Sequence, residues 1–241
     1  GTPLTESPAR CLEFTNAHHV TITNNILECD CAISIYMAFT SPNTTYSDFV
    51  VTGNEATRTT SLWWAGITSN NTIIDQITLS GNVIHDFSAQ IGDDGDGTGI
   101  HSDGFWHGYL ATPSTTTGSY FDNITFCNNR SYGDFRRGFG TNGGVTAMFF
   151  QEGGMHTALI CNNVFTFWPA QANTFDGLVI LQGENNQSPG PVYVINNTFY
   201  DPPGANSMSQ AFNIESGMEN VTLKNNVFVG MNYPVWIEQA G

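Results

Sequence analysis

The residues best suited to chemistry lie in one acidic stretch between positions 92 and 108, which reads GDDGDGTGIHSDGFWHG. Its aspartates can exchange a proton or hold a cation, and His101 can carry a proton near neutral pH. If Ile100–Asp103 is a strand, His101 and Asp103 stand two residues apart and leave it on the same face. We therefore predict that Asp103 acts as a general acid or base. Its predicted catalytic partners are His101, Asp93 and Asp94.

The same stretch carries a pattern typical of calcium loops. Residues 94–99 read D-x-D-x-T-G, which places oxygen donors at alternate positions between glycine turns. Hard cations bind such carboxylate and carbonyl oxygens, so we predict a calcium site at Asp94, Asp96 and Thr98. The bidentate Glu that completes many such loops is missing, because Phe105 stands at its position. A solvated acidic turn without a metal is the alternative.

Aromatic, amide and charged residues near this stretch are candidates for contacts with a carbohydrate. Two carboxylates about 6.5–9.5 Å apart are the arrangement of inverting glycoside hydrolases, and neighbouring repeats of a solenoid supply that separation. We predict that the substrate-binding residues are Trp106, His107, Gln151, Glu152, Arg136 and Arg137. For the arginine pair, two solvated arginines in a turn are the alternative.

A repeat that occurs seven times must position these residues, and its last copy is VTLKNNVF at Val221–Phe228. Apolar residues three and five positions before a shared Asn alternate with polar ones, which indicates a strand with one buried face. We expect this Asn to turn the chain, because Asn tolerates left-handed backbone angles. We also expect its amide to bond the next copy, as in other Asn ladders. The shared residues are Asn25, Asn54, Asn82, Asn129, Asn163, Asn197 and Asn226.

Stacked strands that end on a shared Asn resemble the coils of the right-handed parallel β-helix, or pectate-lyase-like, superfamily. The copies lie 28 to 47 residues apart, a range typical of solenoids. The resemblance covers nearly the whole chain. It implies an all-β fold of about seven to nine coils in one domain over residues 1–241. Both ends carry core-type strands without a cap, so we expect an excerpt of a longer chain, or ends that make end-to-end or oligomeric contacts.

A second strand is expected after each Asn turn. We align Ile100–Asp103 with Met148–Gln151, so that His101 shares an outward row with Phe149 and Asp103 shares one with Gln151. The longest spacing between Asn residues, 47, contains the acidic stretch, so function is expected there. The other copies of this strand are Ser34–Met37, Ser61–Trp64, Val179–Gln182, Phe212–Glu215 and Val235–Glu238.

The resemblance also implies two activities. Members of this superfamily cleave polysaccharides by hydrolysis, with Asp clusters, or by calcium-dependent elimination, with a Lys or Arg base. The Asp93-Asp94 pair resembles a motif of the hydrolases, whereas Arg136-Arg137 would serve a lyase. We favour hydrolysis through Asp103 narrowly over elimination. The alternative is a non-catalytic rod, such as a tailspike shaft, an adhesin or a surface repeat, because this fold hosts those as well.

The composition of the chain argues against some classes of binding partner. The formal net charge of −15 disfavours nucleic acid and anionic membranes, and no run of 18 apolar residues predicts a membrane span. Cys127 and Cys161 occupy one outward column in consecutive repeats, which would suit a disulfide, and Cys11, Cys29 and Cys31 allow one more bridge. Free thiols are the alternative. We expect an extracellular or cell-surface protein whose partner is a polysaccharide.

Overall fold

The protein is described by a computed structural model that covers most of the repeats. The residues that it describes are 10–86, 102–110, 118–133, 145–151, 154–166, 179–181, 190–200, 210–214, 218, 220–231 and 233–237. Within them all regular structure is β, in two sheets whose strands pair in parallel. A helix long and apolar enough to cross a membrane is not found in these residues.

The smaller sheet contains the strands that lead to each Asn. Seven of them pair in the order β19-β16-β13-β10-β6-β4-β2, and β9 pairs with the first half of β6. Their bounds are β2 Val20–Thr23, β4 Thr45–Thr52, β6 Ile73–Ser80, β9 Tyr120–Phe121, β10 Ile124–Cys127, β13 Ala158–Cys161, β16 Val192–Ile195 and β19 Val221–Lys224.

The larger sheet has 13 strands, which branch at one long strand, Glu55–Ile67. One row of short strands pairs along the first part of that strand, and a second row pairs along its last part. The first row is β7 Val83–His85, β11 Arg130–Tyr132, β14 Val164–Thr166, β17 Thr198–Tyr200 and β20 Val227–Val229. The second is β8 Ser102–Leu110, β12 Val145–Gln151, β15 Val179–Leu181, β18 Gln210–Ile214 and β21 Tyr233–Ile237. The remaining strands are β1 Arg10–Thr15, β3 Ile26–Phe39 and β5 Glu55–Ile67 itself.

The strand register confirms the predicted alignment of the seven copies. Val20 pairs with Phe49, Phe49 with Ile77, and the same column continues to the last copy through Ile124, Ala158, Val192 and Val221. Strands that follow one another at the same position in every repeat are compatible with a parallel β-helix or a related solenoid.

The core lies between the two sheets and is built from these repeated apolar columns. Leu79, Phe126 and Ile160 are fully buried, and each such side chain contributes roughly 1.5–3 kcal/mol by leaving water. Phe105 is also fully buried, with its ring edge-to-face on Phe126 at 5.4 Å between centroids. Phe105 therefore packs in the core at the position where a calcium loop would place its Glu.

The shared Asn residues form the ladder that the sequence predicts. The Oδ1 of Asn163 accepts hydrogen bonds from the backbone N and the Nδ2 of Asn129, at 2.8 and 3.1 Å. Its Nδ2 donates to the carbonyl of Phe126 and to Oδ1 of Asn197, both at 2.9 Å. The side-chain bonds continue from Asn25 to Asn226 through each member. Each amide therefore stabilises the repeats on both sides of it.

The expectation that the ladder Asn itself turns the chain was wrong. The left-handed residue is the one before it, because the ladder residue must aim its amide into the core while its neighbour reverses the backbone. Gly53 serves at one of these positions, where an added Cβ would come within 2.5 Å of Oδ1 of Asn24. The left-handed column consists of Asn24, Gly53, Gly81, Asn128, Asn162, Asn196 and Asn225, with φ between 54 and 66°.

The predicted alignment of the second strand was wrong in its first three copies, because the column of Met148 contains Ile35 and Trp63 rather than Ser34 and Ser61. The last four copies align as predicted. Met148 pairs with Trp106 rather than Ile100, and Phe149 pairs with His107 rather than His101. Ile100 and Ser102 imitate the alternation of a core strand, but the buried Phe105 fixes the register further along.

The predicted disulfide between Cys127 and Cys161 is confirmed. The two residues pair across β10 and β13, and their Cα atoms are 4.5 Å apart. Cys11 is disulfide-bonded as well. Free cysteines are not found among the described side chains. The bridge joins consecutive repeats on the outer side of the smaller sheet, as the ladder joins them inside.

Candidate functional site

Most of the predicted site residues lie outside the described residues. These are the catalytic candidates Asp93, Asp94 and His101, the other calcium ligands Asp96 and Thr98, and the substrate candidates Arg136, Arg137 and Glu152. The backbone of Asp103, Trp106 and His107 is described in β8, and that of Gln151 at the end of β12. The roles of all of these residues stay predictions.

The register places Trp106 and His107 in the middle of the larger sheet. Trp106 pairs with Trp63 on one side and Met148 on the other, and His107 pairs with Trp64 and Phe149. Asp103 and Gln151 are further apart than the alignment from sequence predicted. Asp103 pairs with Thr146, while Gln151 pairs with Tyr109, roughly 20 Å further along the strand at 3.3 Å per residue.

The larger sheet changes at the acidic stretch. β5 runs without a break from Thr57, the partner of His85, to Trp63, the partner of Trp106. Thr57 and Trp63 are six residues apart, whereas their partners in the next repeat, His85 and Trp106, are 21 residues apart. The residues between, 87–101, contain the predicted catalytic and calcium positions except Asp103. Most of the acidic stretch therefore lies in an insertion of 15 residues relative to the preceding repeat.

An ionic cluster lies where the chain leaves the sheet, and it was not predicted from the sequence. The two ring nitrogens of His85 each meet a carboxylate: Nε2 lies 3.1 Å from Oε1 of Glu55, and Nδ1 lies 2.8 Å from Oδ2 of Asp86. The imidazole also stacks on Tyr132 of the next repeat, with centroids 5.0 Å apart and planes 4° from parallel. We call Glu55, His85, Asp86 and Tyr132 the His85 cluster.

The electrostatics of the cluster favour a charged imidazole. Burial lowers the pKa of His85, but the hydrogen bonds and negative charges of Asp86 and Glu55 together raise the pKa above its ordinary value. The His85 side chain is 16 % exposed, whereas Glu55 and Asp86 are about half exposed. Because each ring nitrogen meets a carboxylate, the protonated imidazole can donate to both acids, and neither nitrogen is left to act as a base.

A register argument could have found the cluster. His85 and Asp86 stand three and four residues after the ladder residue Asn82, as Thr57 and Arg58 do after Asn54. Glu55 directly follows Asn54 in that preceding copy. An acid in one copy and a histidine in the next therefore lie on adjacent strands of one sheet face. The site was predicted between positions 92 and 108 because acids are dense there. The His85 cluster can be found only when single positions are compared between copies of the repeat.

An aromatic stack lies on the outer face beside this region. Tyr36 and Trp64 stack with centroids 4.7 Å apart and planes 12° from parallel, and the guanidinium of Arg10 lies 3.4 Å from the Tyr36 centroid. An added Cβ on Gly66 would come within 2.5 Å of the Trp64 ring, so a larger residue there would displace the indole. Trp63, in contrast, is fully buried and belongs to the core.

Metal-binding geometry is not found in the described part of the chain. No group of three or more His, Cys, Asp or Glu side chains there is placed to hold a metal ion, and this includes the His85 cluster. Comparisons of the chain with protein-family models, curated proteins and solved structures found no match.

Proposed function

We propose that the chain is a right-handed parallel β-helix, a single domain over residues 1–241 with about seven to nine coils. Three features support this proposal. The strands recur in register through seven copies, the Asn ladder links every copy, and parallel crossovers are almost always right-handed. Such a rod offers long, regularly spaced outer rows that can follow a linear polymer.

We propose further that this β-helix is an extracellular or cell-surface protein that binds and hydrolyses a polysaccharide. The observation that carries this proposal is the insertion between His85 and Trp106, because an insertion in a regular repeat is where solenoids add function. That insertion contains Asp93, Asp94 and His101, three of the four residues predicted to transfer protons. The disulfide between Cys127 and Cys161 supports an oxidising, extracellular setting.

In this proposal Asp103 transfers the proton that hydrolysis requires. One carboxyl group protonates the leaving glycosidic oxygen while another activates water, and His101, Asp93 and Asp94 are its proposed partners. The proposed contacts with sugar are the residues predicted from the sequence, Trp106, His107, Gln151, Glu152, Arg136 and Arg137. A formal charge of −15 repels polyanions, so a neutral polysaccharide is favoured.

The test combines a glycan array with two product assays, one for new reducing ends and one for unsaturated products. Reducing ends without unsaturated products support hydrolysis, and unsaturated products support elimination with Arg136 or Arg137 as the base. In a hydrolase, Asp103→Asn should abolish cleavage with the fold intact, because an amide cannot exchange the proton. Asp48→Asn is the matched control, since Asp48 lies on the described surface beside His19. Cleavage by Asp103→Asn at the unaltered rate would exclude Asp103 as the catalyst.

A non-catalytic rod is the second candidate, and one observation favours it. The described polar groups of the outer face are largely engaged with one another, as in the His85 cluster and the pair of His19 and Asp48 at 2.7 Å. Groups that satisfy one another need no substrate. Binding to the array without any product in either assay would favour this candidate.

A further inference from the structure

Seven Asn-x-Ser/Thr triplets occur in the chain, and the structure separates them. They begin at Asn43, Asn70, Asn123, Asn129, Asn186, Asn196 and Asn220, and all except Asn186 lie in described residues. Such a triplet is the acceptor motif for N-linked glycans, which require an exposed Asn. An Asn-rich repeat also produces the triplet by chance, so the environment of each Asn decides which ones count.

The triplet at Asn129 is a by-product of the ladder. Asn129 is 1 % exposed, and its Nδ2 donates both hydrogens, to the carbonyl of Leu79 at 3.0 Å and to Oδ1 of Asn163 at 3.1 Å. A glycan on this nitrogen would remove one of those bonds and would have to pass through the core. A chain modified at Asn129 therefore cannot complete the ladder.

Three other triplets have the opposite environment. Asn70, Asn196 and Asn220 are exposed, and their side-chain amides form no hydrogen bond within the described residues. Asn196 and Asn220 are also in left-handed turns, with φ of 59° at both. Asn43 and Asn123 are intermediate, because Asn43 accepts a bond from Asn71 at 3.0 Å and Asn123 donates one to Asp75 at 2.7 Å.

The three exposed sites also avoid the sheet faces. Asn70 precedes β6, Asn196 stands between β16 and β17, and Asn220 directly precedes β19. All three are therefore at the corners where strands end, so attached glycans would leave the outer rows of both sheets open. The disulfides in the chain form in the same oxidising secretory compartments in which N-glycosylation takes place.

We propose that Asn70, Asn196 and Asn220 are acceptor sites for N-linked glycans, and that Asn129 is not. In the transfer, Nδ2 of the Asn forms a bond to the anomeric carbon of a lipid-linked oligosaccharide pyrophosphate. The bond from that carbon to the pyrophosphate oxygen breaks, the lipid pyrophosphate leaves, and the amide gives up one proton. No oxidant or reductant takes part.

The test is secretion of the full chain from a eukaryotic cell line, followed by intact-mass analysis before and after peptide N-glycosidase. Release in ¹⁸O-labelled water marks each formerly glycosylated Asn as a labelled Asp in the peptide map. We expect label at Asn70, Asn196 and Asn220 and none at Asn129. Each single Asn→Gln change at the three sites should remove one glycan, whereas Asn71→Gln should remove none, because Asn71 is the middle residue of the Asn70 triplet and not its acceptor.

Secreted, disulfide-bonded protein without glycans at these three sites would overturn the proposal, as would a glycan on Asn129. Variants that fail to be secreted do not leave the question open, because the unaltered chain already reports the occupancy of all four positions in one map.

Discussion

The Asn ladder and the His85 cluster both join consecutive repeats through polar side chains, yet they differ in burial and in charge. Ladder residues such as Asn163 are fully buried and neutral, and their amides are bonded on both sides. The His85 cluster lies on the outer face, depends on ionised groups and occurs once in the described part of the chain. A buried polar group left without its partner costs far more than an exposed one, so the two sites should respond very differently to mutation.

The Asn ladder and the His85 cluster therefore have different roles. The ladder repeats unchanged because every repeat needs the same bonds, so it is structural. The cluster lies at the end of β7, directly before the insertion. The carboxylates of the cluster are about half exposed, so stability should depend on the cluster only weakly.

The largest effect is expected in the ladder. Asn163→Ala removes the acceptor of the Asn129 backbone N and of one Asn129 amide hydrogen, and it removes the side-chain donor to the carbonyl of Phe126. The Oδ1 of Asn197 loses one of its two donors and keeps the backbone N of residue 163. We expect a loss of roughly 3 kcal/mol or more in the free energy of unfolding, measured by chemical denaturation. Asn162→Gly is the matched control, since the exposed Asn162 has φ of 54° and Gly accepts that angle. Equal denaturation midpoints for the two variants would contradict the structural role of the ladder.

The second-largest effect is expected at the predicted calcium site, Asp94, Asp96 and Thr98. A bound metal there would stabilise the fold in addition to the Asn ladder and the His85 cluster. Ligand that binds only the folded state stabilises it by about 2.7 kcal/mol at 100 times its Kd. We therefore expect a chelator to lower the melting temperature and added calcium to restore it. Identical melting curves under both conditions would count against the site, and magnesium at the same concentration controls for ionic strength.

The smallest effect is expected at His85, and it should depend on pH. The folded-state pKa of His85 is raised, so its stabilisation is complete below the ordinary histidine pKa and disappears as the pH rises through the folded-state value. His85→Gln should therefore cost about 0.5–1 kcal/mol at pH 5.5 and less at pH 8.5. His19→Gln is the control, because His19 is 74 % exposed and meets one carboxylate only. A cost for His85→Gln that does not change with pH would mean that packing, not charge, holds the cluster.

The sequence revealed the part of the fold that repeats. The Asn column and its apolar alternation occur seven times, so chance agreement at one copy could not mislead the alignment. It also indicated the Cys127–Cys161 pair, because both cysteines occupy one column of that alignment.

The sequence was less informative where a feature occurs once. Ile100 and Ser102 alternate like a core strand, but the buried Phe105 sets the register instead. The left-handed position falls one residue before the ladder Asn, a choice between two adjacent polar residues that the pattern alone does not make. The His85 cluster needs three strands to be aligned before its charges can be seen together.

A cysteine pair tests most directly whether the acidic stretch lies in an insertion between β7 and β8. The native bridge shows that residues paired on adjacent parallel strands of this protein can form a disulfide. His107 and Phe149 are such a pair, so the double variant His107→Cys and Phe149→Cys should form a bridge that peptide mapping detects. The variant with His101→Cys and Phe149→Cys, which follows the alignment from sequence alone, should form none. A bridge in the second variant but not in the first would contradict the register, and with it the insertion on which the proposed function depends.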